Sequence, residues 1–246
     1  MGDFSPDAQV KGFVGSNLIA LICSKNSAHF CATFLFPIVI MMPQKYKIFH
    51  NQHRLVIFNG EKTSTPGELE LLYNGEIQAF IRELEVFEKQ PYVNLALRVD
   101  DPEGFFAELK KRYIFERAAG GLVWNEVDEA LFIHRFGFFD LPKGHVEGLE
   151  TYAQTALREV EEETGVAVKE VGKELPTTFH IFCKDDGIHL KETHWFEMHV
   201  EGDMALIPQT EEGIEQVQWV HREILRYITK DAYASIREML KDAGVF

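Results

Sequence analysis

The segment that most constrains the fold is residues 144–166, because its residue types and spacing specify one helix between two loops. Thr151 followed three residues later by Gln154 is the capping-box pattern that starts a helix. Gly165 stands where a glycine favours the end of that helix. Apolar residues recur at helical spacing between these positions and predict a face packed against the rest of the protein. That face consists of Ala153, Ala156, Leu157 and Val160.

Three glutamates, Glu159, Glu162 and Glu163, lie beside this apolar face. At about 100° of rotation per residue they fall within an arc of about 100°. Converging carboxylates raise one another's pKa unless cations occupy the space between them. Carboxylate oxygens are hard ligands that suit Mg²⁺ or Mn²⁺. The pattern therefore predicts a divalent-cation site, and a solvated acidic helix face is the alternative interpretation.

The complete spacing of residues 144–166 resembles the box of the Nudix hydrolases, which act on nucleoside diphosphates linked to another moiety. At a chance of about one in ten per position, from average residue usage, seven fixed matches coincide roughly once in 10⁷ windows. The resemblance implies an α/β fold, an α/β/α sandwich around a mixed sheet, with the box as a loop–helix–loop. The matching residues are Gly144, Glu150, Arg158, Glu159, Glu162, Glu163 and Gly165, with apolar Val160 and Val166.

The resemblance also implies the chemistry, which is hydrolysis of a diphosphate bond with Mg²⁺ or Mn²⁺ as cofactor. It implies that the metal ligands are the carbonyl of Gly144 and the carboxylates of Glu159, Glu162 and Glu163.

Residues around these ligands receive supporting roles from the same resemblance. Arg158 is expected to orient and charge-balance the carboxylates, although a surface ion pair with Glu162, four residues later, is its plain alternative. Glu150 is expected to support the loop–helix–loop or the metals. Lys143 is expected to contact a substrate phosphate, and a solvated loop lysine is equally compatible with its position.

A further glutamate is expected downstream, where many relatives carry an extra metal ligand or general base. Glu212 has the closest spacing to Trp219, but Glu211 and Glu215 compete with it. With Glu159 and Arg158, Glu212 completes the predicted catalytic set.

Aromatic residues supply the candidates for contact with an organic part of the substrate. Trp195 is the predicted substrate-binding residue, and Phe182 and His194 are further candidates for stacking on a nucleobase. Aromatic residues in strands more often belong to the core, which is the competing interpretation.

The sequence divides into three parts. Residues 1–44 form an apolar, weakly charged extension, interpreted as poorly ordered or as the product of a misassigned start. Residues 45–113 predict a small α+β unit, and residues 114–246 predict the Nudix domain. The expected elements are a hairpin at 46–49 and 54–58, helices at 76–89 and 101–113, strands at 92–99, 118–124, 130–134, 178–183, 193–200 and 216–220, and a helix at 230–242.

Net charge narrows the range of partners. The chain carries 25 Lys and Arg against 39 Asp and Glu, a net charge of −14, which argues against duplex nucleic acid. The expected partner is a small-molecule nucleotide or polyphosphate, and residues 45–113 are a candidate module for forming a homodimer.

Localisation is predicted to be cytoplasmic. The apolar runs in residues 1–44 fall short of the ~20 residues that a membrane span needs, so no membrane partner is expected. Three scattered cysteines indicate a reducing compartment.

Two other functions stay open at this point. Some Nudix-like domains bind nucleotides or ADP-ribose as sensors or interaction modules without hydrolysing them. An isomerase acting on an isoprenoid diphosphate would need a reactive cysteine, for which Cys183 is the candidate. The sequence contains no motif that selects one diphosphate substrate.

Overall fold

A computed structural model describes residues 45–50, 52–60, 68–72, 94–202 and 205–246 of the protein. No helix in these described ranges combines the length and the hydrophobicity that a membrane crossing requires. The strands are β1 Lys45–His50, β2 His53–Phe58, β3 Glu68–Leu72, β4 Asn94–Arg98, β5 Ile114–Trp124, β6 Glu129–Arg135, β7 Phe138–Asp140, β8 Lys143–His145, β9 Glu174–Lys184, β10 Gly187–His199 and β11 Ile214–His221. The helices are α1 Pro102–Lys110, α2 Tyr152–Thr164, α3 Arg222–Ile228 and α4 Ala234–Asp242.

The described strands join in one mixed sheet, in the order β11-β6-β5-β10-β9-β1-β2-β4-β3, with β7 on β6 and β8 on β5. Parallel pairing of β5 with β10 runs from Ile114 beside His189 to Trp124 beside His199 and forms the centre of the sheet. Strands β9 and β10 form a long antiparallel hairpin around a turn near Gly187. The mixed sheet that the resemblance implied is therefore confirmed.

Helices cover both faces of the central strands, because neighbouring residues of a strand point to opposite sides. On one face, Ala156 and Val160 of α2 belong to the same buried cluster as Val123 of β5. On the other face, Ile236 of α4 packs in a cluster with Leu122 of β5. The α/β/α sandwich is thus confirmed as well.

The N-terminal strands continue this sheet. The hairpin of β1 and β2 is antiparallel, as predicted, and β1 pairs in parallel with β9 through Ile48 beside Phe179. Ile48 and Phe179 share a buried cluster with Leu109 of α1, which begins at Pro102 and is capped by the side chain of Asp101. The boundary near residue 113 stays a prediction.

Ion pairs connect the N-terminal hairpin to the last helix. One carboxylate oxygen of Glu238 lies 3.2 Å from Lys47 Nζ and 3.0 Å from Arg54 Nη1. All three side chains are largely shielded from water, which weakens solvent screening of the pairs. Glu238 therefore joins strands that are distant in sequence from the C-terminal helix.

The observed elements extend several predicted ones. Strands expected at 178–183 and 193–200 lengthen to 174–184 and 187–199, because the hairpin keeps pairing up to its turn. The last helix begins at Ala234 rather than near Lys230, because a separate 3₁₀ turn occupies Thr229–Asp231. The predictions for residues 1–44 and for a helix at 76–89 lie outside the described residues.

Replacing Gly165 by alanine should destabilise the fold. Gly165 has φ +77°, and an added Cβ would lie 3.0 Å from the Cβ of Ile207. A left-handed backbone costs an L-residue about 1–2 kcal/mol, so Gly165→Ala should lower the free energy of unfolding by at least that amount in urea titrations. Gly202→Ala is the control, because Gly202 has φ +85° with no atom within 4 Å of the added carbon. If Gly165→Ala lowered the free energy of unfolding by less than Gly202→Ala does, the packing argument would be contradicted.

Candidate active site

Helix α2 contains the predicted carboxylates and buries two of them. Its capping box is formed, with Thr151 Oγ1 accepting from the Gln154 amide and Gln154 Oε1 accepting from the Thr151 amide. The helix ends at Gly165 in the left-handed conformation, as the sequence predicted. Because its apolar face packs on the sheet, Glu159 and Glu163 beside that face become buried, at 6% and 0% exposure. A plain solvated acidic face does not describe these two residues.

Arg158 forms hydrogen bonds with three glutamates of the site. Its Nε and Nη2 donate to the two carboxylate oxygens of Glu150, at 2.8 and 2.9 Å. Its Nη1 donates to Glu159 at 2.7 Å and to Glu162 at 3.0 Å, and Nη2 also donates to the carbonyl of His145 at 2.9 Å. The expected pair with Glu162 is therefore one contact of a larger network that fixes the loop onto the helix.

The pKa values of two carboxylates in this network shift in opposite directions. Hydrogen bonding by Arg158 lowers the pKa of Glu150 to about 2. Burial raises the pKa of Glu159, although its own contact with Arg158 opposes that rise. Glu150 is therefore a permanent anion that holds Arg158 in position.

Gly144 lies directly against Glu159. Strand β8 pairs with β5 through Gly144 beside Ala119, and a Cβ at position 144 would overlap the carboxylate of Glu159. A glycine is therefore required here for the backbone to approach the carboxylate. The role of the Gly144 carbonyl as a metal ligand stays a prediction.

Glu163 is the most deeply buried carboxylate of the site. Its Oε2 accepts from the backbone amide of Lys143 at 2.8 Å, while its Oε1 has no hydrogen-bond partner among the described residues. Arg135 Nη1 lies 3.5 Å from Oε1. Burial raises the pKa of Glu163 to about 7 against the opposing charges of Lys143 and Arg135.

Arg135 brings Glu212 to the same place. Glu212 lies in the 3₁₀ turn Thr210–Glu212, and its Oε2 is 3.9 Å from Arg135 Nη1. The same Nη1 contacts Glu163, so Arg135 lies between the two glutamates. Glu215 instead contacts His134 Nδ1 at 3.0 Å on the exposed surface. Of the competing downstream glutamates, Glu212 thus has a described contact with the site, and its charge also raises the pKa of Glu159.

A cavity of about 450 Å³ opens on the other side of Lys143. The Lys143 ammonium forms an ion pair with Asp140 at 2.7 Å in the cavity wall. Trp195 also lines the cavity but is 1% exposed, with its indole N–H donating to Thr178 Oγ1 at 2.9 Å. Phe182 lies in the same wall, whereas His194 points to the opposite face and stacks on Tyr152.

Two observations fit a divalent cation at the carboxylates. The Oε1 of Glu163 is a buried acceptor without a hydrogen-bond donor among the described residues, and the lack of a side chain at Gly144 brings its backbone close to the carboxylate of Glu159. Both groups offer hard oxygen atoms of the kind that Mg²⁺ and Mn²⁺ prefer. In the part of the chain that the structure describes, three or more such side chains do not converge into one ligand cluster, because Arg158 occupies the space between Glu159 and Glu162.

Sequence reasoning did not identify Arg135 or Asp140. Arg135 lies near Glu212 because β6 pairs with β11, which follows the turn that carries Glu212, and it meets Glu163 from the separate helix α2. Both contacts join segments that are distant in sequence. Asp140 stands three residues before Lys143, and this spacing of opposite charges was the one local signal for it.

Comparison with protein families decides the classification. The model of the NUDIX domain matches residues 114–243, which is 130 of the 246 residues of the chain. The chain belongs to the NUDIX family. The resemblance drawn from residues 144–166 is therefore confirmed.

Individual relatives share at most about a third of their aligned residues with this NUDIX chain in the three examples that follow. A protein of Mycobacterium tuberculosis (strain CDC 1551 / Oshkosh) that bears the name mutator protein MutT4 is 30% identical over 147 residues, which cover 54% of this chain and 56% of that protein. Among solved structures, a MutT protein from Methanosarcina mazei Go1 has 19% identity and a TM-score of 0.42, covering 52% of this chain and 92% of that one. A C. elegans Ap4A hydrolase has 21% identity and a TM-score of 0.41, covering 54% and 98%.

The buried carboxyl of Glu163 should make the stability of the metal-free NUDIX chain depend on pH. Its pKa is about 7 in the folded state and 4.5 as the ordinary value, so the folded state holds the proton more tightly. The resulting contribution to stability is present below about pH 4.5 and is lost as the pH rises through about 7. In EDTA, Glu163→Gln should gain up to roughly 3 kcal/mol relative to wild type between pH 5 and pH 8, measured by urea titration.

Glu161→Gln is the matched control, because Glu161 is an exposed glutamate of the same helix. Its stability should follow that of the wild type at both pH values. Parallel pH profiles for Glu163→Gln and wild type would contradict a pKa of this carboxyl that is raised by burial.

Proposed function

We propose that this chain hydrolyses a diphosphate bond in a nucleoside diphosphate linked to another moiety, or in a related polyphosphate, with Mg²⁺ or Mn²⁺ as cofactor. One observation carries the proposal, which is that a single helix buries Glu159 and Glu163 beside a cation-lined cavity while Glu163 Oε1 lacks a partner. Burying two carboxylates destabilises a fold unless a cation binds there. The arrangement therefore favours metal-dependent phosphate chemistry over a purely structural role.

The metal would be held by Glu159, Glu162, Glu163 and the carbonyl of Gly144. When bound, a divalent cation neutralises phosphate oxygens and lowers the pKa of a coordinated water. Glu159 or Glu212 accepts the proton of the attacking water as general base. The water oxygen forms a new bond to phosphorus while the bond from phosphorus to the bridging oxygen breaks.

Other residues position these groups. Arg158, held by the two hydrogen bonds to Glu150, orients Glu159 and Glu162. Lys143 offers its ammonium to a substrate phosphate in the wall of the cavity, where Asp140 neutralises it in the absence of substrate. Arg135 links Glu163 to Glu212 and keeps the candidate base near the buried carboxylate.

The partners that suit this site are small-molecule nucleotides or polyphosphates. The cytoplasmic location and the homodimer stay predictions from the sequence. Trp195 as a stacking residue is the weakest of the sequence predictions, because its ring is buried in the core and its N–H is already bonded.

The carboxylates are tested by variants that keep shape and remove charge. Glu159→Gln and Glu163→Gln should each lower turnover by about 10²-fold or more, because each loses a charged ligand. The assay is release of phosphate or nucleotide from a panel of nucleoside diphosphate derivatives with Mg²⁺ and with Mn²⁺. Glu161→Gln should stay within about twofold of wild type, since Glu161 is exposed on the same helix. Near-wild-type rates for both site variants at saturating Mg²⁺ would overturn the assignment.

A nucleotide sensor is the second candidate, because Arg158 already occupies the space between Glu159 and Glu162. A chain of net charge −14 should repel a polyphosphate unless metal is bound. For the hydrolase, calorimetric binding of a non-hydrolysable diphosphate analogue should weaken at least tenfold, about 1.4 kcal/mol, when EDTA replaces Mg²⁺. Equal binding without metal would favour the sensor.

A further inference from the structure

The cavity beside Lys143 is strongly cationic in a protein that is otherwise acidic. Lys191 and Trp195 of β10 line the cavity, and they alternate along the strand with Glu192 and His194, which face the other side of the sheet. Trp195 shares a buried cluster with α4, so the cavity lies on the sheet face that α4 covers. Four cationic side chains line it against one carboxylate, that of Asp140, while the whole chain carries −14. The four are Arg135, Lys143, Lys184 and Lys191.

Three of these cations have acidic partners. Lys143 contacts Asp140 at 2.7 Å, and Lys184 contacts Glu116 at 2.6 Å. Arg135 lies near Glu163 and Glu212, as described above.

Lys191 differs from the other three cations because its ammonium has no acidic partner among the described residues. Among the described residues no hydrogen bond or ion pair is formed by its ammonium, which lies 5.0 Å from the ring centroid of Phe182. Burial lowers the pKa of Lys191 to about 8, and the positive charge of Lys143 adds to that effect. Lys191 is partly buried, and a charge that is shielded from water without a counter-ion destabilises the folded state. Lys191 therefore points to an anion that is supplied by something other than the chain.

The aromatic surfaces of the cavity are already occupied by the protein. Trp195 is 1% exposed, and Phe182 stacks on His189 with ring centroids 5.4 Å apart. Tyr233, at the α4 side of the cavity, packs against Phe138. A nucleobase would need such a surface to be free, whereas an anionic group needs the unpaired ammonium.

We propose that this cavity binds a phosphate monoester of the substrate, at a position remote from the scissile diphosphate, with Lys191 as its principal ligand. A volume of about 450 Å³ exceeds what one phosphate needs and accommodates a sugar phosphate. The substrate class is thus a diphosphate compound whose other end carries a further phosphate. The link to a scissile diphosphate rests on the proposed function, but the anion site itself does not.

Binding can be measured without any hydrolysis. In EDTA, calorimetric titration with ribose 5-phosphate should give saturable binding, and ribose, which lacks the charge, should bind at least tenfold more weakly. Lys191→Met, which keeps side-chain length, should weaken ribose 5-phosphate binding at least tenfold, and Lys191→Arg should retain it within about threefold. Lys169→Met is the matched control, an exposed lysine outside the cavity, and should stay within about twofold of wild type.

Folding is checked in the same experiment, because Lys191→Met removes a partly buried charge that has no counter-ion and should melt at or above the wild-type temperature. Absence of saturable ribose 5-phosphate binding in EDTA, or equal binding by wild type and Lys191→Met, would overturn the proposal. Equally tight binding of ribose would also overturn it, since recognition would then rest on the sugar.

Substrate pairs that differ by one remote phosphate test the link to turnover. With Mg²⁺, KM should be lower for coenzyme A than for dephospho-coenzyme A, or for NADPH than for NADH, and Lys191→Met should remove that difference in KM. Preservation of the difference in Lys191→Met would contradict the proposal. Full turnover by Glu163→Gln would instead overturn the role of its carboxylate, and absence of metal-dependent turnover by the wild type would overturn the hydrolase assignment. Neither outcome changes the binding result in EDTA.

Discussion

The packing of α2 on the sheet is the constraint on which the site depends. Val160 and Ala156 bury one face of the helix, and the neighbouring positions 159 and 163 are drawn out of solvent with it. A glutamate at either position must therefore lose hydration, which raises its pKa. The same hydrophobic contact that stabilises the sandwich thus creates two carboxylates with a strong preference for a cation.

Charged side chains form two layers, one on the sheet face that α2 covers and one on the opposite face of the sheet. On one side, Arg158 neutralises an acidic cluster and is itself fixed by the two oxygens of Glu150. On the other side of the sheet, cationic side chains line a cavity in a chain whose net charge is −14. An anionic ligand that approaches such a protein is repelled by the surface as a whole and attracted only at the cavity. Local charge, rather than net charge, thus selects where a phosphate can bind.

The parts of the site that were predictable from sequence are local. The capping box at Thr151, the glycine at 165 and the order of glutamates all lie within one helix, where spacing alone fixes direction. Arg135 and Lys191 were not predictable, because each reaches the site through strand pairing between distant segments. The choice of Glu212 over Glu215 also required the structure, since the register of β11 against β6 shifts between Ile214 and Gln216. Continuation of the sheet from β9 into β1 had no sequence signal either.

Lys143 connects the two layers of charge. Its backbone amide donates to Glu163 Oε2, on the carboxylate side, while its ammonium meets Asp140 in the cavity wall. Gly120 makes this close approach feasible, because a Cβ there would collide with the carbonyl of Pro142 and the Cβ of Lys143. A single residue therefore fixes the distance between the carboxylates and the cavity through a rigid strand rather than a loop. If one ligand spans the carboxylates and the cavity, as we propose, it must match that distance, and the pairing of β8 with β5 would then set the preferred substrate length.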